Sequence, residues 1–169
     1  MGTIISYDNS VILTGFAVMN SEKVMQTCGV VNCKRHAKVK NLATRIDYVT
    51  TDILTATLPY FDWESRDTTI LFEMPVVGAN AGGALKQAMI LGALCKTVIQ
   101  IGVTYDYIPE IHLLNNMKWK AAVGKGNMSK EAYWVIAKQL YPSFDMTTDD
   151  VAASVLMAIA YLDGCPTQG

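Results

Sequence analysis

Charge is scarce in this 169-residue chain. Only 17% of its residues are Asp, Glu, Lys or Arg, against about 25% in an average soluble domain. The 14 bases nearly cancel the 15 acids, for a net charge of −1. That excludes the strongly basic profile which marks many nucleic-acid-binding domains, although the balance misleads if acids gather in one site and bases gather around it. Cysteine is equally sparse, at four residues: Cys28, Cys33, Cys95 and Cys165. Cys28 and Cys33 are separated by four residues, and no Cys or His pair follows at a zinc-like spacing. This argues against a zinc centre and for buried thiols in a reducing compartment. The two histidines, His36 and His112, stand in no motif and receive no role. No uninterrupted apolar stretch reaches the roughly 18–20 residues of a membrane helix. No basic segment followed by an apolar core opens the chain. A cytoplasmic protein without membrane contact is the expectation.

What the chain has is apolar bulk. Hydrophobic residues make up 51% and mean hydropathy is +0.22, too high for disorder. The length suits one domain with its own core. That domain is expected over residues 1–163, with 164–169 as a frayed tail.

Three acids sit where acids are unfavourable. Thr3-Ile4-Ile5-Ser6-Tyr7-Asp8 is rich in β-branched and aromatic residues and reads as a buried strand that ends on a carboxylate. Asn9-Ser10 then turns the chain into a second apolar run, Val11 to Met19, so the pair reads as a hairpin. Glu73 closes the run Thr69-Ile70-Leu71-Phe72, and Asp149 and Asp150 open an Ala-rich helix. A buried carboxylate needs a cation or hydrogen-bond donors. The expectation is that Asp8, Glu73 and the Asp149–Asp150 pair converge and hold divalent metal.

The remaining pattern completes a fold. Lys23 to Val31 reads as a third strand. Cys33-Lys34-Arg35-His36-Ala37-Lys38-Val39-Lys40 is a basic run, either a solvated loop or a phosphate-contacting patch through Lys34, Arg35 and Lys38. Residues 41–61 carry Leu42, Ile46, Val49, Ile53, Leu54 and Leu58 at helical steps, and Pro59 marks the end. Thr68 to Glu73 is apolar on both faces, as in a sheet covered on both sides. Residues 75–80 read as a loop and 81–101 as a helix. The helix's Gly82, Gly83 and Gly92 would permit a close backbone approach, within the monomer or across a homodimer face. A short strand over 110–115, a basic glycine-containing stretch over 117–126, a helix capped by Ser129 and a last helix over 150–162 follow. The order implies an α/β fold, a mixed sheet of five strands with helices on both faces. Three strands form an antiparallel meander and the others run parallel.

This arrangement resembles the ribonuclease-H-like superfamily, and within it the RuvC-type Holliday-junction resolvases of bacteria or phages. Four segments carry the likeness. They are Ile5-Ser6-Tyr7-Asp8-Asn9-Ser10 with Thr14-Gly15-Phe16-Ala17-Val18, and Ile70-Leu71-Phe72-Glu73 with Asn80-Ala81-Gly82-Gly83-Ala84-Leu85-Lys86. The others are Val123-Gly124-Lys125-Gly126-Asn127-Met128-Ser129-Lys130 and Asp149-Asp150-Val151-Ala152 with Ala158-Ile159-Ala160. The resemblance implies a homodimeric, metal-dependent endonuclease acting on four-way and other branched DNA. Such an enzyme would use two Mg²⁺ or Mn²⁺ ions about 3.5–4 Å apart. Asp8 would bridge the ions, with Glu73 and Asp150 on either side; Asp149 is a lesser candidate whose plainer role is helix capping. Lys130 matches a family lysine near the scissile phosphate. Lys118 and Lys120 flank a position where relatives often carry another lysine, and Trp119 occupies that position. With Lys125 they join Lys34, Arg35, Lys38 and Lys130 as DNA-contact candidates. Trp119 and Trp134 are read as packing residues.

Two departures stand out. The family places a second Asp three residues after the one matched by Asp150, and here that position is Ala153. Either three carboxylates suffice, or the fourth was removed to leave an inactive, junction-binding form. Val76 stands near the family's junction-wedging aromatic, so that role is unassigned. The rival readings are a nuclease acting on RNA–DNA hybrids or flaps and a non-catalytic junction-binding protein. A sugar-kinase-like fragment is a third, but the chain is too short for its two lobes.

Overall fold

A computed structural model describes residues 2–75 and 81–168. Of the loop expected over 75–80, residues 76–80, with Val76 among them, lie outside the described residues.

Three strands open the fold: β1 (Thr3–Asp8), β2 (Leu13–Asn20) and β3 (Met25–Asn32). Helix α1 (Leu42–Thr57) follows and continues into a 3-10 turn over Leu58–Tyr60, where Pro59 ends regular helix. Asn41 caps α1, its side chain accepting from the Thr44 N–H. Next come β4 (Thr68–Glu73), α2 (Ala81–Thr104) and β5 (Glu110–Leu114). Helices α3 (Asn116–Val123), α4 (Lys130–Leu140) and α5 (Asp149–Leu162) follow, and then β6 (Thr167–Gln168). The cap expected at Ser129 is present, accepting from Ala132 N–H, and Thr148 caps α5 by accepting from Val151 N–H.

The sheet order is β3-β2-β1-β4-β5-β6. Strands β1, β4 and β5 run parallel, while β2, β3 and β6 pair antiparallel with their neighbours. Two expectations are corrected. The sheet has six strands, because Thr167–Gln168 pairs with Leu113–Leu114 and does not fray. The basic stretch after β5 contains helix α3, started by Asn115.

Alternation along each strand splits the core in two. Ile4, Ala17, Met19 and Leu71 pack under α3, α4 and α5. Ile5, Tyr7, Val18, Ile70 and Phe72 pack under α1 and α2. Helices thus cover both faces, as the apolar pattern of β4 required. By length and composition alone α2 would serve as a membrane span. Its Ile90, Leu94 and Val98 are instead buried against the sheet, while Leu85, Met89, Ile99 and Val103 are exposed. Among the described residues a Cβ added at Gly82 or Gly92 would meet nothing within 4 Å, so no packing contact among them explains these two glycines.

All four cysteines are free thiols.

Candidate active site

The parallel strands β1, β4 and β5 end at one edge of the sheet. In open α/β sheets this carboxyl edge is where ligands bind. Parity decides which side chains gather there. Residues alternate faces along a strand, so Asp8 shares the α5 side with Ile4 and Ser6. Glu73 likewise shares that side with Leu71. Tyr7 pairs with Phe72 in register, which makes Asp8 and Glu73 the next neighbours along adjacent strands. On the opposite face the Tyr7 and Phe72 rings stack at 5.2 Å, and the Tyr7 hydroxyl donates to Thr57 Oγ1 at 2.8 Å. That stack fixes the two strand ends from beneath.

The first turn of α5 is fastened to the same edge. Asp8 N–H donates to Ser154 Oγ at 3.0 Å, and that hydroxyl donates to the Asp150 carbonyl at 2.9 Å. Ser6 Oγ donates to the Ser154 carbonyl at 2.6 Å. Gly15 lies opposite Asp8 in the β1–β2 ladder. A Cβ there would fall 2.2 Å from both the carbonyl carbon and oxygen of Asp150. The helix can therefore rest on β2 only because residue 15 has no side chain. Ser6, Gly15 and Ser154 were not foreseen as site residues. The available signals were the parity of Ser6 with Asp8 and the single serine among the apolar residues of α5.

Electrostatics shows that the acids face one another. Burial raises the Asp8 carboxyl well above the usual carboxylate range, and the charges of Glu73, Asp150 and Asp149 push it further. Glu73 is raised by burial, against the pull of the Trp119 hydrogen bond, Lys120, Asn116 and Lys130. Asp150 is raised by burial and then by Asp149, with Lys130 opposing. Lys130 bonds to Asp149, and this bond, with the charges of Asp149, Asp150 and Asp8, holds the ammonium above its ordinary value. Asp8, Glu73, Asp149, Asp150 and Lys130 therefore form one interacting group.

As placed, no three Asp, Glu, His or Cys side chains among the described residues stand close enough to hold an ion together. The donor set is still suited to one. It consists only of carboxylate oxygens, the ligands Mg²⁺ prefers, and Mg²⁺ retains waters and takes few protein ligands. No described residue donates a hydrogen bond to the Asp8 carboxylate; the Lys130 charge offsets part of the repulsion, and a bound cation would relieve the rest.

The other foreseen residues divide. Asp149 is held by Lys130 and follows Thr148, which is the cap. Ala153 lies one turn beyond Asp150 and is 3% exposed, packed into the α5 core. Lys34 and Lys38 are exposed just after β3, near the site edge. Arg35 is not free for DNA: its guanidinium forks onto Asp52 of α1, and His36 Nε2 lies 2.7 Å from the same carboxylate. That pairing holds Asp52 below its usual range despite some burial. Lys118 and Lys125 are exposed on and after α3. Lys120 Nζ lies 5.3 Å from both the Trp119 and Tyr133 ring centroids, a cation–π clamp. Trp119 and Trp134 pack as expected, but Trp119 Nε1 also donates to Glu73 Oε1 at 2.9 Å. Asn116 Nδ2 donates to the same oxygen. Neither contact was foreseen, because nothing local links residues more than forty positions apart.

Comparison with known proteins gives the class first. The mixed sheet, its strand order and its flanking helices are those of a ribonuclease-H-like fold. More particularly, the chain is similar to Thermus thermophilus RuvC in complex with a Holliday junction substrate. That match has a TM-score of 0.73 and 13% identity, over 96% of this chain and 94% of that one. A second Thermus thermophilus RuvC structure matches with a TM-score of 0.70 and 15% identity, over 95% and 93% of the two chains. No family model matches the sequence. No curated protein matches it either. The shared property is the fold.

Proposed function

We propose that this chain is a metal-dependent endonuclease that cuts four-way (Holliday) and other branched DNA in a bacterial or phage-infected cytoplasm. The observation that carries the reading is that Asp8 and Glu73 end adjacent parallel strands while Asp150 opens the helix fastened beside them, in a fold similar to a RuvC bound to a Holliday junction. Asp8 would be shared between ligand positions, with Glu73 and Asp150 to either side and Asp149 at the rim. Two bound Mg²⁺ or Mn²⁺ ions would supply charge stabilisation for the attacking water and the leaving oxygen. Lys130 reaches the same acids and would neutralise phosphate charge at the cut. Lys34, Lys38, Lys118, Lys120 and Lys125 would contact flanking phosphates, a sequence-independent source of affinity.

A symmetric homodimer belongs to this reading, since two sites would address two opposed strands. The exposed stripe Leu85, Met89, Ile99 and Val103 on α2, with open space over Gly82 and Gly92, supports it. Sedimentation should find a dimer, alone or with a junction; a monomer in both states would remove this part.

Ala153 favours a second reading, a protein that binds junctions without cutting them. Labelled four-way junctions, flaps and RNA–DNA hybrids, offered in Mg²⁺ or Mn²⁺ to this chain and to Ala153→Asp, separate the cases. Paired symmetric nicks in the junction are expected, stronger from the variant. Junction binding without cleavage by either protein would leave the binding module. Cleavage confined to hybrids or flaps would replace junctions as the substrate.

A further inference from the structure

Glu73 is held unlike the other two acids. Ser154 fastens Asp8 and Asp150 through their main chains, whereas Glu73 is gripped by its carboxylate. Two donors, Asn116 Nδ2 and Trp119 Nε1, converge on the single oxygen Oε1. Among the described residues none donates to Oε2. A carboxylate can accept about four hydrogen bonds, so crowding both donors onto one oxygen is a directional choice.

The two donors have separate supports. Trp119 is 1% exposed, with its ring edge-on to Tyr133 at 5.9 Å between centroids. Lys120 sits over both rings. The indole therefore cannot follow Glu73 if the acid swings. Asn116 is the first residue of α3, and its neighbour Asn115 already caps the helix by accepting from the Met117 and Lys118 N–H groups. The Asn116 amide is thus left for the acid. Both donors are neutral, so they orient Glu73 without cancelling its charge. A lysine or arginine in their place would compete with a metal ion for that charge.

We propose that Asn116 and Trp119 are positioning residues that pin Glu73 by Oε1 and leave Oε2 for the divalent cation. This rests on the metal site proposed above. Partners of this kind fix the orientation of a ligand and tune its basicity.

Calorimetric titration with Mg²⁺, with no DNA present, tests it on the whole chain. Trp119→Phe keeps an aromatic ring and loses the N–H; Asn116→Ala removes the amide from a half-buried position. Each should bind Mg²⁺ about tenfold more weakly than the parent, and the pair weaker still. Tryptophan emission gives a second readout. Mg²⁺ should change the parent's emission, the change should persist in Trp63→Phe, and it should vanish in Trp119→Phe. Folded variants that keep Mg²⁺ affinity within about twofold of the parent overturn the inference alone. If Trp119→Phe fails to fold, Asn116→Ala carries the same test. A parent that binds no Mg²⁺ overturns the metal site, and this inference with it.

Discussion

Helices α2 and α5 both begin at the carboxyl edge of the sheet, yet they are built to different ends. From Val151 to Ala160 every residue of α5 is buried, enclosed by the sheet beneath and by α3 and α4 around it. In α2, which is much longer, only Ala84, Ile90, Leu94, Val98 and Gly102 are buried. The outer stripe of α2 carries Leu85, Met89, Ile99 and Val103, with Lys96 among them. The contrast shows how apolar content alone misleads. In α5 it means a helix locked on all sides, able to hold a carboxylate at a fixed place. In α2 it means one face for the core and one face exposed to solvent.

Substituting a single methyl group at a glycine beside each helix tests that contrast. The largest effect belongs to Gly15→Ala. The new Cβ would collide with the backbone of Asp150, so α5 must lift from β2. Destabilisation of about 3 kcal/mol is expected, or a fall in Tm of roughly 6–12 °C by calorimetry. Unchanged Tm would show that α5 is not seated as described.

Asp8→Asn comes next. In the folded chain the Asp8 carboxyl is raised by burial and by neighbouring acids. Between the unfolded value, about 4, and that raised value, the folded state binds more protons than the unfolded state. Stability of the metal-free protein therefore falls as pH rises through this window. The Asn variant should escape that loss and melt a few degrees above the parent at pH 8, the shift expected from relief of about 1 kcal/mol. The gap should close toward pH 4. Junction cleavage should fall by at least about 100-fold, because even outer partners of metal ligands are worth 10–100-fold.

Gly92→Ala reverses the sign seen at Gly15. Among the described residues the new methyl meets nothing, so the isolated monomer should gain about 0.5–1 kcal/mol by denaturant titration. If the proposed dimer closes over this face, the same substitution should weaken association, and the two signs separate the states. The smallest effect separates neighbours in the basic run. Lys34→Gln should lower the salt slope of DNA binding by about one. Arg35→Gln should leave the slope unchanged, because Asp52 already holds that guanidinium.

Much of this was legible in the sequence, for local reasons. Thr3–Asp8 and Thr68–Glu73 are β-branched or apolar runs closed by an acid, and both strands have the expected bounds. Ser129 announces helix α4 through its side-chain oxygen. What stayed hidden depends on distant contacts. Strand β6 is two residues long and exists only as an added rung on β5. The lysines and glycines around α3 read as loop, although Asn115 caps a helix there. The Trp119–Glu73 contact and the Arg35–Asp52 pair join residues with no periodic relation. The glycines of α2 stand out in the sequence, but only the fold shows that, among the described residues, nothing packs over Gly82 and Gly92.

Anomalous diffraction from crystals soaked in Mn²⁺ addresses the central claim most directly. A peak about 2.0–2.6 Å from the Asp8 carboxylate, shared with Glu73 or Asp150, is the predicted result. Density at full soak with no peak near Asp8, or with peaks only at other surface acids, would contradict it.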